Sequence, residues 1–369
     1  MSIKVLHVVN RWSQGGVECF IERLIEGSSE SAFDHDVVSL CTSVESKGGF
    51  DRFGPLLYDD SLYALMGSGR AFKSFLEKRP YDAVHIHTNN AIGFMLADAA
   101  RQAGVPIRIV HSHNSSLGTG HKVVKYLAHF LCRFRWAGAE TNRVAVSKPA
   151  GSHLFGRMPF TIINNGIDIA RFSFDSRKRR AVRASYGIGP ETLIMGGVGS
   201  FVPVKNHNRI LEVFRKVKFL RPDAQLLLAG DGELKEEIEA SIKRLGLTDS
   251  VIMAGYSKEM ASMYSALDVV LMPSFYEGFP LVALEAQCNG VPVIMADTIT
   301  DEACILPNVE RLSLNASNED WARAVTCSRR ISAKQAQNIL VSLGLSQDAV
   351  MAKIESLYKN EKADGQAER

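Results

Sequence analysis

Val269-Val270-Leu271-Met272-Pro273-Ser274-Phe275-Tyr276-Glu277-Gly278-Phe279-Pro280-Leu281-Val282-Ala283-Leu284-Glu285-Ala286 runs from a short β-branched apolar segment, through a turn, into an apolar helical pattern. The first four residues suit a strand buried on both faces, and the Gly and Pro that follow mark a change of periodicity from two to 3.6. A buried strand feeding a helix is half of a βαβ unit, which is the signature of a parallel sheet.

Working outward, the same unit recurs. Strand-like runs at 193–198, 225–229, 251–254 and 291–296 flank the quoted one, with helical stretches between them. The first half repeats the pattern, with strands at 3–9, 36–40, 83–87, 107–111, 144–146 and 161–163. Helices are expected near 17–25, 70–78 and 92–102, and a long one from His121. These runs predict an α/β fold of two Rossmann-like, doubly wound domains. The expected division is 1–170, 185–345 and a crossover helix and tail over 346–369 that returns to the first domain. The basic segment Arg177-Lys178-Arg179-Arg180 reads as a solvated linker helix, and the residues from about Lys359 as a disordered tail. In open α/β sheets ligands sit beyond the carboxyl ends of the strands, so the chemistry is expected on post-strand loops facing a cleft.

At 369 residues the chain suffices for two ordinary cores. A net charge of +3 with 22% charged residues argues against a nucleic-acid binder, and 46% hydrophobic residues indicate a globular protein. The six cysteines are scattered without a Cys-x-x-Cys pair and read as reduced thiols. The apolar start of the chain is too short for a signal peptide, and no window reaches the length of a membrane span, so a cytoplasmic protein is expected.

Within the quoted stretch, Pro280 suits the first position of a helix, and Phe279 before it has no side-chain oxygen to cap with. The Gly278-Phe279-Pro280-Leu281 turn therefore offers backbone N–H groups at a positive helix end, suited to a phosphate or to sugar hydroxyls. Glu277 lies on the loop, whereas Glu285 lies inside an apolar helix, where a carboxylate needs partners. A ribose diol supplies two donors; a cationic protein side chain is the alternative partner.

This stretch, with its Glu-x7-Glu spacing, resembles retaining glycosyltransferase family 4 of the GT-B fold. The likeness extends over nearly the whole chain through Gln14-Gly15-Gly16-Val17-Glu18, Val84-His85-Ile86-His87, His111-Ser112-His113-Asn114, Ala145-Val146-Ser147, Asn164-Asn165-Gly166-Ile167-Asp168, Lys205-Asn206-His207 and Gly230-Asp231-Gly232. The resemblance implies a nucleotide-sugar donor, a retained anomeric configuration and no metal or other cofactor. It further implies that Glu285 holds the ribose, Glu277 the transferred sugar and Lys205 the diphosphate, with His113 lining the cleft and His87 a weaker candidate. The family's usual arginine before the Lys-Asn segment is missing. Ser200 stands near that point in Gly199-Ser200-Phe201-Val202-Pro203-Val204-Lys205, which removes a bidentate phosphate clamp and leaves a hydroxyl. Gly15 and Gly16 follow the first strand and permit close approach of the donor or acceptor, although a plain tight turn accounts for them as well.

Three other patterns admit competing readings. Asp34-His35-Asp36 has the form of a metal-binding Asp-x-Asp but reads as a solvated strand start. Gly196-Gly197-Val198-Gly199 and Gly230-Asp231-Gly232 do not complete a dinucleotide fingerprint. Residues 121–143 carry Lys122, Lys125, Arg133, Arg135 and Arg143 among Tyr126, Phe130, Phe134 and Trp136. That helix either lies on an anionic membrane or packs its four-residue aromatic steps into the core.

The expected function is thus transfer of a hexose or derivative, with uridine the expected base, to a glycan or lipid-linked glycan. The resemblance points to assembly of a surface polysaccharide, at the inner face of the membrane if that helix meets lipid. A nucleotide-sugar 2-epimerase shares the architecture, and a silent nucleotide-sugar binder is the third reading.

Overall fold

The computed structural model describes residues 2–12, 15–29, 31–41, 52–56, 62–116, 122–257 and 259–359. Gln14, His121 and the tail beyond Lys359 lie outside the described residues. The chain forms two compact units, Met1–Gly166 with Gln347–Arg369, and Ile167–Ser346.

Unit 1 runs β1 (Ile3–Val9), α1 (Gly16–Gly27), β2 (Phe33–Ser39), β3 (Arg52–Phe53), α2 (Leu62–Glu77), β4 (Ala83–Thr88), α3 (Ile92–Gln102), β5 (Ile107–Ser112), α4 (Lys122–Trp136), β6 (Asn142–Ala145), α5 (Lys148–Phe155) and β7 (Thr161–Ile162). Its seven strands are all parallel, in the order β3-β2-β1-β4-β5-β6-β7. Side chains alternate across a strand, so the sheet feeds two cores. Leu6, Val8, Val84, Ile86 and Val110 join Phe72, Phe94 and Phe155 from α2, α3 and α5 on one face. Val5, Val9, Val37, Ala83 and Ile109 join Phe20, Ile21 and Leu24 of α1 on the other.

Unit 2 runs α6 (Ile169–Phe172), α7 (Ser176–Ser185), β8 (Ile194–Val198), α8 (His207–Leu220), β9 (Gln225–Ala229), α9 (Lys235–Arg244), β10 (Val251–Met253), α10 (Met260–Ala266), β11 (Val269–Met272), α11 (Leu281–Cys288), β12 (Val293–Ala296), β13 (Val309–Leu312), α12 (Asn318–Cys327) and α13 (Ala333–Ser342). Its six strands are again parallel, in the order β10-β9-β8-β11-β12-β13. Met195, Leu226, Leu228, Val269, Leu271 and Ile294 pack on Phe214 of α8 and Trp321 of α12. The last helix, α14 (Gln347–Tyr358), belongs to unit 1 and lays Val350, Ile354, Leu357 and Tyr358 into the α1 face of that sheet. The architecture is the expected pair of doubly wound α/β domains, with the crossover helix.

One local expectation is revised, and the structure decides between the two readings of another. The basic run near 177–180 forms the expected helix, α7, with Arg177 and Arg180 exposed, but it is not only solvated: Arg179, and Arg183 further along, each meet Asp268 at 2.6 Å. Arg183 also donates to the carbonyls of Ala266, Gly189, Pro190 and Thr192, so its burial is matched by acceptors. Nor do the aromatic steps of α4 fill the core. Tyr126, Phe130 and Phe134 are exposed, Phe134 by 85%, and Cys132 turns inward instead. The side chains of Lys122 and Lys125 lie outside the described residues.

The glycine pair in β8 is explained by packing. A Cβ on Gly196 would strike Leu267, and one on Gly197 would lie 2.7 Å from Leu228. A dinucleotide is not required to account for them.

Replacing Asp268 by Ala leaves two arginines facing an empty place. Urea unfolding should then show a loss of about 3 kcal/mol, the lower end for a broken buried pair given the partial exposure of Asp268; an unchanged midpoint would contradict the ion-pair account.

Candidate active site

In the unit 2 sheet the strand order reverses between β8 and β11, and a crevice at the carboxyl end of such a reversal is where an open α/β sheet takes ligands. The loops after β8 and after β11 are tied together there. Phe275 N–H donates to the Val204 carbonyl at 2.9 Å, and the Asn206 amide donates to the Pro273 carbonyl at 3.2 Å. Asn206 holds a left-handed backbone at φ 55°, which ends the short 3-10 turn Pro203–Lys205 and starts α8. Gly199, at φ 132°, and Gly230 lie so close that a Cβ on Gly230 would strike the Gly199 carbonyl. Within these tied loops Lys205 Nζ lies 2.6 Å from Glu277 Oε1. The pair is mostly shielded, with side-chain exposures of 20% and 13%.

Gly278, Phe279 and Pro280 are buried beside that pair, and Leu281 is half-buried. Pro280 is not the first helical residue, as expected, but the cap itself, with φ −71° and ψ 119°. The extended ψ places it outside the helix, and no side chain closes the end. Glu285 is buried one turn further on, and Tyr264 donates its hydroxyl to Oε2 at 2.8 Å. The protein itself therefore satisfies part of the carboxylate, through a tyrosine. Burial, then Asp168 and Glu285 nearby, push the Cys288 thiol up to about 12, so it stays protonated. Ser200 follows β8 and is half-buried, in the loop that carries Lys205.

Unit 1 carries its own set of polar groups at its own reversal, between β1 and β4. His35, His7, His85, His87, His111 and His113 come from four neighbouring strands, His113 from just past the end of β5. Their odd positions put them on the α1 and α14 face, and register sets His7 beside His85 and His87 beside His111. They bond to one another in series: His35 to His7 and His7 to His87 at 3.0 Å, His87 to His113 at 2.9 Å, and separately His85 to His111 at 3.0 Å. Tyr358 of α14 closes on His85 at 2.6 Å. Burial pushes His113 down to about 3 and His35 to about 4; His7, His85, His87 and His111 are lowered by burial and then by their imidazole neighbours. All six are neutral at pH 7.

His113 and His87 were singled out from sequence; His7, His35, His85 and His111 were not. Gly15 gives its N–H to Glu18 at 3.1 Å, an ordinary helix start, while nothing among the described residues lies within 4 Å of a Cβ on Gly16. Asp34 and Asp36 do not act together: Asp34 is exposed near Lys4, and Asp36 accepts the Tyr81 hydroxyl at 2.6 Å. Two histidine trios, His7/His85/His87 and His87/His111/His113, have nitrogens within 4.8 Å of one another and are the described groups able to approach a metal. Most of those nitrogens are already engaged in hydrogen bonds.

The family model for Glycosyl transferases group 1 matches residues 178–326, and that for Glycosyltransferase Family 4 matches residues 14–171. The Bacillus subtilis (strain 168) protein EpsF, named as a glycosyltransferase, is 33% identical over 346 residues, 87% of this chain and 86% of its own. The chain belongs to glycosyltransferase family 4. An Escherichia coli UDP-Gal:alpha-D-GlcNAc-diphosphoundecaprenol alpha-1,3-galactosyltransferase is 28% identical over 258 residues, 67% of this chain and 66% of its own. Among solved structures, Anabaena Alr3699/HepE in complex with UDP-glucose superposes with a TM-score of 0.76 at 18% identity, over 97% of this chain and 100% of that one. The fold of this glycosyltransferase is therefore GT-B.

The imidazole set makes stability depend on pH. Each histidine has an ordinary value of 6.5 when unfolded and a lower one when folded, so only the unfolded state takes protons between them. Stability is full above about pH 6.5 and falls as the pH drops toward the folded values. The slope is roughly 1.4 kcal/mol per pH unit for each imidazole that stays neutral. Denaturant melts between pH 7.5 and 5 should show this fall, and a flat profile would exclude six buried neutral rings.

Proposed function

We propose that this glycosyltransferase moves a hexose or derivative from a nucleotide-sugar, a UDP-sugar in the first instance, to a glycan or lipid-linked glycan, with retention and without a metal. The observation carrying this reading is the meeting of Lys205 and Glu277 at the β8/β11 reversal, beside the uncapped start of α11. When donor binds, Lys205 turns its ammonium to the diphosphate, and Glu277 accepts hydroxyls of the sugar. Glu285, steadied by Tyr264, accepts the ribose diol. Gly278, Phe279, Pro280 and Leu281 bring backbone N–H groups to the sugar and phosphate, and Ser200 adds a hydroxyl in place of the family's arginine. His113 contributes a neutral imidazole to sugar binding, and Gly16 leaves room for substrate.

In front-face transfer the bond between the anomeric carbon and the diphosphate oxygen breaks, and its electron pair stays with the diphosphate. The acceptor hydroxyl oxygen bonds to the same face of that carbon and passes its proton to the departing phosphate. Charge growing on the leaving group is what Lys205 and the N–H groups of α11 stabilise, a kind of interaction worth on the order of 100-fold in rate for a single donor. Retention is implied by the family resemblance, and the E. coli relative's named alpha product agrees with it.

Transfer from UDP-glucose and UDP-galactose should locate the donor. With the active donor, Lys205→Met is expected to lower kcat by about 100-fold. Glu285→Gln is expected to raise the donor KM by about tenfold with little change in kcat, because ribose contacts serve ground and transition states alike. Full activity in both variants would sink the assignment, and an epimer formed from nucleotide-sugar alone would favour the epimerase.

The acceptor reading has its own support in α4. Tyr126, Leu127, Phe130, Leu131 and Phe134 are each more than half exposed, and Arg135 stands exposed among them. Apolar and aromatic groups mixed with cations suit an anionic bilayer surface. No described helix is long and apolar enough to cross a membrane. The E. coli relative is named for a diphosphoundecaprenol substrate, which supports a lipid-linked acceptor at the inner face of the membrane during polysaccharide assembly. Vesicles with phosphatidylglycerol should retain the protein, and Phe130→Asp with Phe134→Asp should release it while transfer to a soluble acceptor persists. Equal binding by parent and variant would refute the surface.

A further inference from the structure

The imidazole chain of unit 1 has a direction, and its direction can be worked out from one end. Ser28 Oγ lies 2.7 Å from the Leu24 carbonyl, and two oxygens stay that close only if the hydroxyl hydrogen lies between them. The same Oγ lies 3.0 Å from His35 Nε2. Having spent its hydrogen on Leu24, Ser28 can only accept there, so His35 carries its proton on Nε2 and a lone pair on Nδ1.

The remaining assignments follow. His35 Nδ1 accepts from His7 Nε2 at 3.0 Å, which leaves His7 Nδ1 bare. That atom accepts from His87 Nε2 at 3.0 Å, which leaves His87 Nδ1 bare. It in turn accepts from His113 Nε2 at 2.9 Å. Each step holds because burial keeps all four rings neutral, with one donor and one acceptor apiece. A reversed chain would leave no hydrogen between Ser28 and one of its two partners.

We infer that Ser28, His35, His7 and His87 are positioning residues that hold His113 as its Nε2–H tautomer, leaving Nδ1 as a hydrogen-bond acceptor at the carboxyl end of β5. A group that accepts and carries no charge selects a hydroxyl or N–H of a ligand and disfavours phosphate or carboxylate oxygens. The assignment of that ligand as a sugar hydroxyl rests on the glycosyltransfer reading; the tautomer does not. The second series ends differently. The Tyr358 hydroxyl pairs with His85 Nδ1, His85 Nε2 pairs with His111 Nδ1, and His111 Nε2 is buried with no hydrogen-bond partner among the described residues. Its ring centre lies 4.1 Å from that of His113, so the two series end side by side. A metal held by His87, His111 and His113 is disfavoured, because His87 Nδ1 and His113 Nε2 already share one proton.

Long-range proton–nitrogen spectra of the full chain labelled with 15N-histidine, assigned by loss of signals in His113→Gln, read the tautomer directly. At pH 7.5 His113 should be neutral with its proton on Nε2. Ser28→Ala removes the anchor and should shift the tautomer ratio toward Nδ1–H by roughly fivefold, the equivalent of one ordinary hydrogen bond. Ser28→Thr, which keeps the hydroxyl, should restore the parent ratio. A charged ring, an Nδ1–H parent, no response to Ser28→Ala, or one equivalent of bound transition metal in the purified protein would each overturn the chain. With a donor that turns over, Ser28→Ala should lower kcat/KM in step with the tautomer and leave the affinity for UDP unchanged. A tautomer shift with unchanged kcat/KM would overturn hydroxyl recognition while leaving glycosyltransfer intact. Absence of turnover in the parent protein would refute glycosyltransfer, and the spectra would still decide the tautomer.

Discussion

A parallel strand returns the chain to the end from which it started, so every loop that follows a strand gathers on one edge of the sheet. This constraint organises both units. In unit 2 it sets the loops after β8 and β11 side by side, although Lys205 and Glu277 are 72 residues apart in sequence, and two backbone-directed hydrogen bonds then draw Lys205 onto Glu277. In unit 1 it stacks odd-numbered positions of β2, β1, β4 and β5 on one face, where α1 and α14 cover them. Polar groups on that face are removed from water and have to find partners among themselves. Imidazoles manage this because each neutral ring brings one donor and one acceptor.

Much of this was legible in the sequence, for identifiable reasons. The passage from Val269 to Ala286 announces strand, turn and helix because its periodicity changes at a glycine and a proline, and Glu277 and Glu285 stand out as carboxylates against apolar neighbours. Boundaries were less accurate where propensity is weak. β2 begins at Phe33 and not at Asp36, since parallel pairing with β1 extends it through two polar residues, and Pro280 sits outside its helix because its ψ is extended.

What stayed hidden depends on the order of strands. The two His-x-His pairs at 85–87 and 111–113 are visible by inspection, and each pair must face one way. That His7 and His35 continue them requires knowing that β2, β1, β4 and β5 are neighbours in that order, which local pattern does not contain. Tyr264 as the partner of Glu285 was hidden for the same reason. Helix α4 shows the opposite limit: its aromatic steps report that one face is apolar, but not whether protein covers it, and the core beneath is filled by Cys132 and the residues around it.

The contact between Lys205 and Glu277 gives the glycosyltransferase an internal rival to its own ligand. A carboxylate 2.6 Å from the ammonium competes with any phosphate for the same cation. On the proposed reading, the hydroxyls of a bound sugar would engage Glu277 and suspend the rivalry. Departure of the sugar with the acceptor would let the carboxylate reclaim the lysine, so a spent nucleotide would be held less firmly than the intact donor, and one ion pair would tell substrate from product.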